Sequence, residues 1–402
     1  MRMTVMIGLM LATACAVQAA DWETISTEDL SGWRAEGGEW TVVDGVIIGR
    51  APKGENCWLI YEKKEFADCE IEFEWRTPTP TNGGVQFRSH WLPRMPLKEG
   101  ESADTAPRQM YGYQANIETR QRLASGRIIC ENGRGPLAEP DSAAARTLKQ
   151  RDWNKMRVVA RGPKIEVYLN DTPACSIEDE RYLSGFIALQ AFAFEAQDDF
   201  VLVEYRNLRV RDWGREGSWR PIFDGKSLDG WKKWGEESWT VEDGAIVGRS
   251  GPKKSEGYLA TIEQWKDFRV RGSFKMLGEG NFGLFYHATI TLREDGYPVI
   301  AGVQGEVEPS WPGNTGWLYE SYQRGWLIKP DKNTVAATAM RPSQWNEIEI
   351  RSKDSHVTTW VNGIQVVDFK DDAPRLFEGS FALQLHTGGV DGIMWKDLTV
   401  LE

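Results

Sequence analysis

The sequence predicts an all-β protein made of two antiparallel sandwiches in tandem, and three observations carry that expectation. Short apolar–polar alternations recur along the chain, tight-turn dipeptides separate them, and the whole pattern occurs twice. The second copy opens at "FDGKSLDGWKKWGEESWTVEDGAIVGR" (Phe223–Arg249), which rewrites "DLSGWRAEGGEWTVVDGVIIGR" (Asp29–Arg50). In both, an Asp-Gly pair (Asp44-Gly45, Asp243-Gly244) interrupts the alternation, as a two-residue hairpin with positive φ requires.

The strands follow in order. "DCEIEFEWR" sets Cys69, Ile71, Phe73 and Trp75 on one side and Glu70, Glu72, Glu74 and Arg76 on the other. "FRVRGSFKM" does the same with Phe268, Val270 and Phe274 against Arg269, Arg271 and Lys275. "NGGVQFR" (Asn82–Arg88) is answered by "NFGLFYH" (Asn281–His287), and "GYQANIE" (Gly112–Glu118) by "GVQGEVE" (Gly302–Glu308). "SGRIICENGRGPL" (Ser125–Leu137) meets "TGWLYESYQRGWL" (Thr315–Leu327). "DWNKMRVVARGPKIEVYLND" answers "QWNEIEIRSKDSHVTTWVNG", and "GFIALQAF" answers "GSFALQLH". Helical periodicity is confined to "DSAAARTLKQRD" (Asp141–Asp152). The expected plan is a leader at 1–20, one domain at 21–212 and a second at 213–402, joined near "RDWGREGSWRP". Sandwiches of such short strands are expected to be jelly rolls of the concanavalin or glucanase-like kind.

The first residues, "MRMTVMIGLMLATACAVQAA", carry one arginine, an apolar run and a small-residue end, which reads as a secretory signal cleaved after Ala19 or Ala20. Cys15 is a poor lipid acceptor because the leucine expected three residues earlier is missing. No other segment has membrane-spanning length, so the expectation is an exported protein. Formal charge is −11, which argues against nucleic acid or an anionic membrane surface as partner. Nineteen tryptophans serve a core and equally suit stacking on sugar C–H faces. Cys57, Cys69, Cys130 and Cys175 are an even set that permits disulfides, with Cys57 and Cys69 able to face each other across neighbouring strands. Four buried thiols are the other reading. Their spacing matches no zinc motif.

Alternation assigns faces. If Phe381, Leu383 and Leu385 enter the core, then Ala382, Gln384 and His386 face a groove. Gln304, Glu306 and Glu308 do the same opposite Val303, Gly305 and Val307, and His287 shares a side with Phe285. The first copy gives Gln86, Arg88, Gln114, Asn116, Glu118 and Gln190. Arg88 stands for His287, Asn116 for Glu306 and Phe192 for His386, while Glu131 and Arg134 are read as matching Glu320 and Arg324. Proton transfer near neutral pH wants histidine or a tuned carboxylate, so the second copy is better equipped for it. Each residue has a plainer role as well. A strand histidine is often a hydrogen-bonded structural group, Glu320 with Arg324 could be a surface ion pair, and Gln114 and Gln304 could be strand amides. No Gly-x-Ser-x-Gly, phosphate loop, dinucleotide fingerprint, His-x-His or His-x-x-x-His occurs.

These motifs together resemble the 3-keto-disaccharide hydrolase family, through "FDGKSLDGW", "WTVEDGAIVGR", "NGGVQFRS", "GYQAN", "LYES", "QWN" and "ALQLH". The resemblance implies a concanavalin-like jelly roll, a carbohydrate ligand and a separate sugar-oxidising oxidoreductase as functional partner. No cofactor is expected, with a divalent metal held by scattered His and Glu residues as the alternative. Carried over, the first copy keeps Asn82, Gln86, Arg88, Gln114 and Glu131, with Gln190 and Arg134 beside them. It departs at Asn116 and Phe192. The second keeps Gln304, Tyr319, Glu320, Gln384 and His386, and departs at Glu306 and His287. The implied chemistry removes the C2 proton of a 3-keto-glycoside, expels the glycosidic oxygen from C1 and then adds water. For that chemistry His386 or Glu306 is the expected base, Glu320 or His287 the acid, and Arg324 and Gln304 the holders of substrate oxygens. Two rival readings are a carbohydrate-binding protein without turnover and a retaining β-glucanase using Glu306 and Glu308, whose carboxyls would need to stand about 5–5.5 Å apart.

Overall fold

The computed structural model describes residues 21–402 except 27, 122–123, 196–198 and 216, so the leader lies outside the described residues. Each half is a pair of antiparallel sheets. In the first half the supporting sheet runs in the order Thr172–Glu178, Lys164–Leu169, Asn154–Arg161, Asp68–Arg76, Phe200–Gly214, Val46–Pro52, Glu39–Val43. The site sheet runs Gly135–Ala138, Ile128–Glu131, Arg108–Glu118, Asn82–Pro93, Phe186–Phe192, Asn56–Tyr61, Trp33–Glu36. The second half repeats both orders strand for strand. Its supporting sheet is built around Phe268–Met276 and Ile393–Leu401, and its site sheet around Phe282–Leu292, Pro298–Val307 and Ser380–Leu385. No described helix is long and apolar enough to cross a membrane.

The alternation read from the sequence builds this core. Ile71, Phe73, Trp75, Val270 and Phe274 are at most 1% exposed, and their odd neighbours face outward in charge ladders such as Arg211 on Glu70 at 2.9 Å. Both Asp-Gly hairpins have the expected left-handed pair, with φ of 50° and 75° at Asp44-Gly45 and 48° and 77° at Asp243-Gly244. The expected helix at Asp141–Asp152 is cut to Ser142–Ala145, capped by Asp141 Oδ1. It stops because Asn154 claims the next turn, accepting from Lys149 N and donating to Lys149 O, both at 2.8 Å. Asn346 clasps Arg341 in the same way, so the asparagine of "DWN" and "QWN" is a loop staple.

One extra residue breaks the alternation in each half. Arg88 (φ 46°) and His287 (φ 48°) adopt left-handed backbone inside their strands, and strand pairing slips there. This bulge turns both side chains off the groove face, where the sequence pattern had placed them. Arg88 is buried instead, donating to Ala67 O at 2.9 Å, Gly162 O at 2.8 Å and Asp68 Oδ1 at 2.8 Å. His287 Nε2 meets the equivalent carbonyl, Lys266 O, at 2.7 Å, and burial pushes its imidazole below the usual pKa. Both residues tie the site sheet to the start of a supporting-sheet strand.

The halves meet through main chain. Leu183 N donates to Gly363 O at 2.7 Å and Gln365 N to Arg181 O at 2.9 Å, with Trp360 Nε1 on Glu180 O at 2.8 Å. Gly363 permits the approach, because a Cβ there would lie 2.2 Å from Ser184 Oγ. Arg215, in the linker, is clamped by Glu347 and Glu349.

The four described cysteines are free thiols, which corrects the disulfide expectation. Cys57 and Cys69 sit on strands of different sheets, each facing core. Burial raises the Cys57 thiol to about 11 and those of Cys69 and Cys175 to about 12. Two outcomes follow. Reducing agent should leave the melting temperature unchanged, and a thiol reagent should label the buried Cys57, Cys69 and Cys130 only after unfolding. Arg88→Met should cost the first sandwich about 3–5 kcal/mol in urea unfolding, because it removes the cation paired with the buried Asp68 carboxylate, and Asp68→Asn should recover part of the loss.

Candidate functional site

Neighbouring strands of the second site sheet set Tyr258, Gln384, Gly283 and Glu306 abreast on one face. The adjoining row is Ala260, Ala382, Phe285, Gln304 and Tyr319. Glycine at 283 leaves room for the Gln304 amide, whose Oε1 would be 2.8 Å from a Cβ there. Gln304 Nε2 donates to Glu306 Oε1, and Asn281 Nδ2 donates to Glu306 Oε2 at 3.0 Å. Glu256 closes the other side, accepting from Gln384 Nε2 at 3.0 Å and from the hydroxyls of Tyr297 and Tyr322 at 3.1 Å each.

Within this cluster Tyr258, Gln304, Gln384, Glu256 and Glu306 are nine-tenths or more buried, whereas Tyr322 is exposed, and desolvation pushes the Glu306 carboxyl up to about 7. The carbonyl oxygens of Gln304 and Gln384 have no protein partner, so two acceptors are left over. Its more open fringe is Asn281, Tyr319 and His386, with Trp326 edge-on to Tyr319 at 5.3 Å. His386 follows the strand end. Its backbone N donates to Asn281 O at 3.2 Å, and its ring Nδ1 lies 3.1 Å from Thr387 O.

Three of the expected site residues lie elsewhere. Glu320 pairs across from Val303, a core-side position, while Gln304 pairs with Tyr319 on the groove side. Glu320 is therefore buried beneath the sheet, where Arg324 grips both it and Asp371. His287 joins them around a separate pocket of about 320 Å³ at the end of the sandwich. The Arg324 contact holds the Asp371 carboxyl below its usual range. Glu308 stands past the strand end with its carboxylate engaged by Ser310.

In the first half the same face carries Trp58, Gln190, Gly84 and Asn116, then Ile60, Ala188, Gln86, Gln114 and Ile129. Two of the hydrogen bonds repeat with amides in place of acids, and the third differs in its acceptor. Gln190 Nε2 donates to Asn56 Oδ1 at 2.8 Å and Asn82 Nδ2 to Asn116 Oδ1 at 3.1 Å, while Gln114 Nε2 donates to Gln190. Asn56 therefore stands for Glu256, Asn116 for Glu306 and Phe192 for His386.

Strand register also corrects one equivalence. Glu131 faces Gly112 as Ser321 faces Gly302, so Cys130, not Glu131, occupies the position of Glu320. Burial alone raises the Glu131 carboxyl to about 7. Arg134 does correspond to Arg324, and it pairs with Asp179 at 2.6 Å as Arg324 pairs with Asp371.

Glu256, Tyr297 and Tyr322 were not found from the sequence. Glu256 ends the loop "GPKKSE" immediately before the strand Gly257–Thr261, and the signal for it was the alignment of "EGYLA" with "NCWLI". Tyr297 comes from a hairpin between paired strands and Tyr322 from a turn, where alternation says nothing.

Comparison with known proteins places this geometry. A 3-keto-disaccharide hydrolase of Bacteroides thetaiotaomicron is 34% identical over 83 residues, which is 18% of this chain and 29% of that protein. A crystal structure from Parabacteroides distasonis is similar over 46% of this chain and 93% of its own, at 20% identity and a TM-score of 0.34. A Bacillus subtilis protein with a galectin-like fold covers 46% of this chain and 97% of its own, at 13% identity and a TM-score of 0.37. The family described as 3-keto-alpha-glucoside-1,2-lyase-like domain matches residues 21–211 and again 218–401. The chain belongs to that family, and carries its domain twice.

Proposed function

We propose that the second sandwich cleaves 3-keto-glycosides and that Glu306 is the base. The observation that carries this reading is the Glu306 carboxyl, desolvated to about 7 and oriented by Gln304 and Asn281. A base of that basicity is half-ionised near neutral pH and is still strong enough to take a ketone-activated proton. Glu306 removes the C2 proton, and the electron pair forms the enolate with the C3 ketone. The enolate then expels the glycosidic oxygen from C1, leaving a conjugated enone. His386, at the fringe, supplies the proton that the departing oxygen needs. Water adds at C1 of the enone and a proton returns to C2, so the net change is hydrolysis. The free carbonyl oxygens of Gln304 and Gln384 accept sugar hydroxyls. The 3-keto substrate is the product of a separate sugar-oxidising oxidoreductase, and the protein acts after export.

A binding role without turnover is favoured for the first sandwich alone. Its amide ladder keeps the hydrogen-bonding geometry of the second but carries neither carboxylate of the cluster nor the histidine. Glu320, Arg324 and His287, away from the Glu306 face, are assigned to holding the sandwich end.

Two measurements test this. With a 3-keto-glucoside as substrate, Glu306→Gln should lower kcat by about 10²–10⁴-fold, and His386→Ala should lower it by a smaller factor. Unchanged turnover in both variants removes the proposal, and glycan binding with no product from the wild-type chain replaces it with the binding reading. The pH dependence has a fixed sign. Glu306 must be ionised to act, so kcat/KM should rise with pH through about 7. Because its folded-state pKa is raised, Glu306 binds its proton more tightly folded than unfolded. Its contribution to stability is therefore greatest below the ordinary carboxylate pKa and is lost as pH rises to about 7. Glu306→Gln should consequently melt higher than wild type at pH 8, with the gap narrowing at pH 5.

A further inference from the structure

A cleft of about 730 Å³ lies between the two sandwiches, away from the Glu306 cluster. One wall is an end of the first site sheet, with Ile60, His90, Trp91 and Phe186, and the other is the second half's Trp311 with the segment 338–342. Both indoles are half-buried. Trp91 packs against the buried cluster of Trp58, Ile60, Met110 and Ala188, and Trp311 Nε1 donates to Thr338 O at 3.4 Å. The cleft therefore presents aromatic surface from both halves of the chain.

Its charges are largely neutralised by pairing. Arg341 reaches across to Glu65, Arg34 pairs with Glu62, and Lys64 with Asp212 at 2.5 Å. This leaves little net field for an anion or a cation, and favours a neutral ligand. His90 adds an acceptor at the inner edge. It is 3% exposed, packed against Tyr182 and Phe186, and its Nε2 has no partner. Burial keeps the ring neutral, pushing its pKa down to about 3, and the Ser184 carbonyl engages the ring, so the Nε2 lone pair is unused.

We propose that this cleft binds a neutral oligosaccharide, gripped between Trp91 and Trp311, with a sugar hydroxyl donating to His90 Nε2. Apolar ring faces on two walls, with a few polar groups between paired charges, match a ligand that is apolar on its C–H faces and polar at its edges. The site is independent of the chemistry proposed for Glu306, since Glu256, Gln304, Glu306 and Gln384 do not line it. It also gives the linked pair of domains a shared purpose, because neither sandwich forms the cleft alone.

The test is calorimetric titration of the full mature chain with maltotetraose, cellotetraose and laminaritetraose. At least one should bind, Trp91→Ala and Trp311→Ala should each weaken it at least tenfold, and Glu306→Gln should leave it within twofold. Should an indole variant fold poorly, hydroxyl-radical footprinting of the wild-type protein gives a second readout, in which the bound tetrasaccharide should protect Trp91 and Trp311 together. The proposal is overturned if none of the three sugars binds, if Glu306→Gln abolishes binding, or if both tryptophans stay as reactive with sugar as without it.

Discussion

One left-handed residue in the middle of one strand decides which side chains of each sandwich can meet a ligand. Up to Arg88 and His287 the period of two holds, and polar groups of neighbouring strands gather on a single face. At the bulge the period slips by one, and the next long polar side chain is driven across the sandwich edge into the supporting sheet. What results is a division of labour. Side chains that keep the period on neighbouring strands form the carboxylate–amide cluster, and the residue at the bulge ties the site sheet to the supporting sheet, as Arg88 does on Asp68. A second buried clamp, Arg324 on Glu320 and Asp371, is set by strand register, because Glu320 lies on the core side opposite Val303.

Duplication then exposes what the cluster needs for chemistry. The two site sheets share strand order, register and two of the side-chain hydrogen bonds, yet where the second has Glu256 and Glu306 the first has Asn56 and Asn116. An amide can keep accepting from Gln190 and Asn82 while losing the ability to take a proton. It also loses the cost of a buried carboxylate, which in the second half raises Glu306 to about 7. The second sandwich thus holds a buried, desolvated carboxyl where the first holds an amide. With the interdomain cleft drawing aromatic walls from both, the pair can be read as one sugar-handling unit whose halves have separated recognition from proton transfer.

Much of this was legible in the sequence. Hairpins at Asp44-Gly45 and Asp243-Gly244, the alternating strands and the tandem repeat follow from local rules, and they fixed the grouping of Gln304, Glu306 and Gln384 on one face. The misread positions have physical causes. Arg88 and His287 sit at bulges, which add one residue without any distinctive residue type. Glu320 differs from Tyr319 by a single step, which decides its side of the sheet, and its match to Glu131 was a one-residue error, since the gapless alignment of the two segments sets Cys130 against Glu320. Glu256 is the last loop residue before the strand Gly257–Thr261, where alternation has no preceding residue to count from. The cysteines looked like a set because sequence spacing cannot tell two strands in one sheet from two strands in opposite sheets.

The central claim is that Glu306 takes a carbon-bound proton, and isotope exchange reads that step separately from bond cleavage. A 3-keto-glucoside can be incubated with the protein in D2O under conditions of partial conversion, and both the recovered substrate and the released sugar examined by NMR at C2. The account predicts deuterium at C2 of the released sugar with wild type, and loss of the C2 exchange in Glu306→Gln. Released sugar that keeps its original C2 hydrogen, or exchange that survives in Glu306→Gln, would contradict it.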